Sequence, residues 1–91
     1  VPMRAALHQN YPNPAMTGSE ITIPYSVRAG GYATLKVYNS LGMEVATLVD
    51  SHQDAGSYTA YWTTNGLPAG VYLYRLTAAG KVLERKMIVT K

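Results

Sequence analysis

The sequence has no cysteine and no phenylalanine, and few charges for its length. Without cysteine there is no disulfide framework and no thiolate metal site. Only 14% of the residues are charged, while 47% are hydrophobic, which excludes an intrinsically disordered chain. No apolar run approaches the roughly 20 residues that a membrane-spanning helix needs. The chain opens on Val1 rather than methionine and carries no secretory leader pattern, so it reads as a piece of a larger polypeptide. Histidine is confined to His8 and His52.

The 91 residues suffice for one domain, spanning 1–91. Eight tyrosines and one tryptophan supply the aromatic content, and tyrosine with β-branched residues favours pleated, half-buried surfaces. The net charge of +3 is mild. Its one local cluster, Lys81, Arg85, Lys86 and Lys91, reads as a solvated terminal strand rather than a nucleic-acid surface.

Residues 1–18 form an extended lead-in. Pro12 and Pro14 remove backbone donors and push Tyr11 and Asn13 out of helical geometry. Beyond it the hydrophobic period is two. Ile21, Ile23, Tyr25 and Val27 alternate with polar partners, although Pro24 places that strand at an edge or a bulge. Gly30-Gly31 makes a turn into a strand with Ala33, Leu35 and Val37 inward. Asn39-Ser40-Leu41-Gly42 is a turn with Gly42 at positive φ. A third strand, Met43 to Val49, needs a bulge near Ala46 or Thr47 if Val45 and Leu48 are both buried.

Asp50 to Gly56 reads as a polar loop. Tyr58, Ala60 and Trp62 define a fourth strand. Val71 to Ala78 is a fifth, with Tyr72, Tyr74 and Leu76 inward. Lys81 to Lys91 is a sixth, whose parity changes between Val82 and Met87, and Ala5 to Gln9 adds a short seventh. Six or seven short strands with turns every 8–12 residues specify an all-β antiparallel sandwich, with a barrel as the alternative.

Six segments, in order and at consistent spacing, resemble the type IX secretion C-terminal sorting domain family. They are Leu7 to Pro14 (with Asn10, Tyr11, Pro12, Asn13 and Pro14), Glu20 to Val27, and Leu35 to Val45 around Tyr38, Asn39 and Gly42. The others are Asp54 to Tyr58 with Gly56, Gly70 to Leu76 with Tyr72 and Arg75, and Lys86 to Val89. The sequence departs from the family pattern at Ala15 to Gly18. The resemblance implies an immunoglobulin-like sandwich that follows an N-terminal passenger protein. It also implies a secreted or outer-membrane surface location reached through the periplasm. The implied partners are the type IX outer-membrane translocon and a sortase-like transpeptidase that replaces the domain with a surface glycolipid. Hook-capping scaffold proteins of flagella carry a similar sandwich, so fold alone does not fix function.

No pattern asks for a cofactor or an enzyme. Ser51, His52 and Asp54 are too close in sequence to converge as nucleophile, base and orienter. Asp50 and Asp54 lack the alternating ligands of a calcium loop. Outward parities at Tyr32, Tyr38 and Tyr61 leave a carbohydrate-binding module, or a plain spacer, as rival readings. Partner recognition is expected on the last strand, at Lys86, Met87, Ile88, Val89 and Lys91. A partner would add a strand there, against the alternative of a charged edge that blocks aggregation.

Overall fold

The computed structural model describes residues 5–91, so the first four residues of the lead-in lie outside the described residues. Eight strands run in order β1 (Ala6–Leu7), β2 (Ala15–Met16), β3 (Glu20–Val27), β4 (Gly31–Tyr38), β5 (Glu44–Gln53), β6 (Gly56–Thr63), β7 (Gly70–Ala78) and β8 (Lys81–Thr90). One sheet has the order β1-β3-β6 and the other β2-β8-β7-β4-β5. All long pairings are antiparallel, and the short β2 lies parallel to β8. This is an immunoglobulin-like sandwich, with the central strands of each sheet facing one another.

The alternation read from the sequence becomes the core. Ile21, Ile23, Tyr25 and Val27 of β3 face Ala33, Leu35 and Val37 of β4 and Tyr72, Tyr74, Leu76 and Ala78 of β7. Burying each large aliphatic side chain contributes about 1.5–3 kcal/mol. At the start of β7, the Tyr72 hydroxyl donates to the Pro68 carbonyl at 2.7 Å, four residues upstream. This is the tyrosine corner that fixes the crossing into that strand in many immunoglobulin-like domains.

Several expectations need correction. The strands number eight rather than six or seven, because β2 is too short to leave a periodic signal. The stretch Asp50 to Gln53 is not a loop but the second half of β5, paired with residues 31–34 of β4. β5 is an outer strand of its sheet and tolerates polar residues on both faces. Its irregularities fall at Val45 and Leu48, each skipped in the register with β4, and Val45 is exposed rather than buried.

Pro24 lies in the middle strand of its sheet, not at an open edge. Backbone N and C=O of one strand residue point the same way, and the Pro24 carbonyl accepts the His8 amide at 3.0 Å. Its missing donor therefore faces the lead-in, beyond the end of the two-residue β1. The parity change in β8 disappears as well. Leu83, Arg85, Met87 and Val89 all take the inward parity, and Arg85 reaches across the sandwich to donate from Nε to the Leu7 carbonyl at 2.6 Å.

Candidate functional site

The lead-in is a strap, and buried polar groups hold it. Tyr74 is wholly buried. Its hydroxyl donates to the His8 carbonyl at 2.7 Å and accepts the Asn10 amide at 2.8 Å. Burial pushes this hydroxyl above the usual tyrosine pKa, while the Asn10 amide works against that rise. Asn10 is itself buried, and its Nδ2 donates to the Pro12 carbonyl at 2.8 Å. Tyr11 pairs with Thr22 through two backbone hydrogen bonds of 2.9 and 3.0 Å. The peptide bonds before Pro12 and Pro14 are both cis.

The strap then crosses to β8. Gln9 Nε2 donates to the Lys86 carbonyl at 2.9 Å, and Asn13 Oδ1 accepts the Ile88 amide at 3.1 Å. Ala15 and Met16 pair with Val89 and Thr90, and the Thr17 amide donates to the Thr90 carbonyl at 2.7 Å. Thr64, fully buried, secures the following turn by accepting the Gly18 amide at 3.0 Å. No feature of Thr64 in sequence, the second of two threonines at a strand end, marks it for this role.

The backbone edge over Lys86 to Thr90 is thus occupied by residues 9–17 of the same chain. A partner strand cannot add there while the strap is in place. Met87 and Val89 point into the core, and Lys86, Ile88 and Lys91 are exposed. Recognition at this strand would have to read those three side chains.

Three separate segments converge at one end of the five-stranded sheet, with Tyr38, Arg75 and Lys86 on its outer face and Tyr72 on its inner one. Tyr38, Asn39, Gly42, Tyr72, Arg75 and Lys86 all line one open pocket of about 290 Å³. The sheet register brings them together, since Tyr38 lies opposite Leu73, which lies opposite Lys86. Asn39 shapes the turn, its Oδ1 accepting the Leu41 and Met43 amides at 3.0 Å each. Gly42 has φ 83°, as the turn requires. The Arg75 guanidinium lies 4.8 Å from the Tyr38 ring centroid, and Arg75 Nε donates to Glu84 Oε2 at 2.5 Å. That carboxylate raises the Arg75 pKa. Of the other family-motif positions, Gly56 and Gly70 open β6 and β7.

The remaining candidates do not assemble. Tyr32 and Tyr38 belong to the five-stranded sheet and Tyr61 to the other, so they share no platform, and Arg75 covers the Tyr38 ring. Trp62 is half-buried against the core. Ser51 and His52 are successive strand residues on opposite faces of β5. Among the described residues no group of three or more histidine or carboxylate side chains is placed to hold a metal ion. Asp50 instead accepts the Tyr32 hydroxyl.

The fold and this surface define a β-sandwich module with a strapped final strand and an open pocket on one sheet face. The family profile for the secretion system C-terminal sorting domain matches residues 9–90, from the strap through β8. The chain belongs to this family, the type IX secretion C-terminal sorting domains. Comparison with curated proteins gave no match. Membership marks the domain as a sorting signal attached to a passenger that is secreted or held at the cell surface.

Proposed function

We propose that this domain directs an N-terminal passenger across the periplasm and through the type IX outer-membrane translocon, and that it does so by recognition without catalysis. The observation that carries this reading is the family match over residues 9–90, which spans both sheets and the strap. Because Met87 and Val89 are core residues, the signal is a folded surface rather than a linear tail. Lys86, Ile88 and Lys91 are the contacts proposed on the last strand, with Met87 and Val89 holding them in register. A sortase-like transpeptidase is the proposed second partner, joining the passenger to a surface glycolipid.

The test is a fusion of residues 1–91 to a neutral reporter, expressed in a bacterium with a type IX system. The fused reporter is expected outside the outer membrane and the unfused reporter in the periplasm. Equal distribution of the two would refute the reading.

A further inference from the structure

The pocket beneath Tyr38 and Lys86 continues into a second hollow of about 230 Å³, with Asn39, Ser40, Val71 and Tyr72 common to both. Together they form a groove running from the sheet face to the cleft between the Asn39–Gly42 turn and the turn before β7. Its far end is apolar. Leu41 and Val45 on one side and Val71 on the other are exposed, at 80%, 37% and 47%. Apolar side chains gathered around a hollow mark interaction surfaces more often than singly scattered ones do.

Two polar groups at the near end act only as donors, Lys86 Nζ and Asn39 Nδ2. Lys86 Nζ has no carboxylate partner among the described residues, and Gln9 holds its backbone in place. Asn39 spends its Oδ1 on two backbone amides, leaving Nδ2 to donate. The Tyr72 hydroxyl is already committed to Pro68. The neighbouring carboxylates are used, Glu84 by Arg75 and Glu44 by Lys36 at 3.2 Å. An occupant must therefore bring acceptors to one end and apolar side chains to the other.

We propose that this groove binds an extended acidic–apolar peptide segment of a protein partner, with a carboxylate at Lys86 and an apolar side chain in the cleft beside Leu41 and Val71. A peptide is favoured because one short chain segment can carry a carboxylate and main-chain acceptors for Lys86 Nζ and Asn39 Nδ2 together with an apolar side chain for the far end. The proposal rests on the sorting reading only in taking the partner to be part of the export machinery.

The probe is an acetylated, amidated pentapeptide of alternating leucine and glutamate, titrated into the isotope-labelled 91-residue chain. Amide shifts are expected at Asn39 to Gly42, Val71 to Arg75 and Lys86. The same peptide with lysine for glutamate should leave them unmoved. Lys86→Gln is expected to weaken binding about two- to fivefold, the scale of one exposed charge contact. Leu41→Ser should weaken it through the apolar end, and Lys81→Gln, at the other end of β8, should not. All three positions are exposed, so a folded spectrum is expected of each. Equal response to the lysine peptide, no response to either peptide, or an unchanged affinity in Lys86→Gln would overturn the groove. A chain that binds the acidic peptide but fails to export a reporter would refute the sorting reading and leave the groove standing. The converse would refute the groove alone.

Discussion

Replacing Tyr74 by phenylalanine removes one oxygen atom and tests how the strap is held. The ring stays in the core, so apolar burial is nearly unchanged. Two polar groups lose their partner, the Asn10 amide at 2.8 Å and the His8 carbonyl at 2.7 Å. Asn10 is 2% exposed, so water does not reach its amide without movement of the strap. A stranded buried donor costs about 1–3 kcal/mol, and the more accessible carbonyl less, giving about 2–3 kcal/mol for the substitution. In a domain of this size each kcal/mol lowers Tm by about 4–8 °C, so a fall of roughly 8–24 °C is expected. Calorimetry and urea unfolding measure it, and hydrogen exchange should show the Asn10 amide losing protection. Tyr72→Phe is the comparison. Its hydroxyl serves one carbonyl, that of the exposed Pro68, and its loss should cost about 0.5–1.5 kcal/mol. A Tyr74→Phe protein with a Tm within about 2 °C of the parent, or less affected than Tyr72→Phe, would refute the strap argument.

Three further outcomes follow from the same contacts. Burial raises the hydroxyl pKa of Tyr25 and Tyr74 above the ordinary value of 10.0, so above that pH the folded chain keeps protons that the unfolded chain sheds. Stability from this source is complete below the unfolded value and is lost as pH rises through the folded ones, and Tyr74→Phe should flatten the alkaline decline of the urea midpoint. Asn13→Ala removes the acceptor for the Ile88 amide and should speed hydrogen exchange there at a cost of about 0.5–1.5 kcal/mol; unchanged exchange would place another acceptor on that amide. Deleting residues 86–91 takes Met87 and Val89 from the core, where truncating one such side chain alone costs about 2–5 kcal/mol. The shortened chain should lose its dispersed amide spectrum, so loss of export on that deletion would report unfolding. The surface set Lys86→Gln, Ile88→Thr and Lys91→Gln should keep the spectrum and separate recognition from folding.

The sandwich was legible wherever a strand had one buried face. Ile21 to Val27 and Ala33 to Val37 alternate cleanly because every second side chain meets the opposite sheet. The Asn39–Gly42 turn was readable from side-chain chemistry alone. Val82 looked like a change of face because an apolar residue there sits at the parity opposite to Met87, whereas it is exposed on the outer side of β8. Asp50 to Gln53 looked like a loop because an outer strand is not obliged to bury either face. The two-residue β2 is below the length at which any period exists.

The site was less visible, for a different reason. Asn10 and Asn13 stood out beside two prolines, yet their partners, Tyr74 and Ile88, are 64 and 75 residues away. The pocket depends on the register of β4, β7 and β8, which composition does not encode locally. Pairing of the strap against β8 also reverses the expectation that the last strand offers its backbone edge to a partner. The edge that looked available is the one the chain itself has closed.

We propose that this folded surface is an export signal read by the type IX machinery. Its most direct test is the location of the reporter fused to residues 1–91, in a type IX-competent strain and in the same strain lacking the translocon. Surface or medium reporter is expected in the first and periplasmic reporter in the second. Periplasmic reporter in both, with the domain folded, would contradict it.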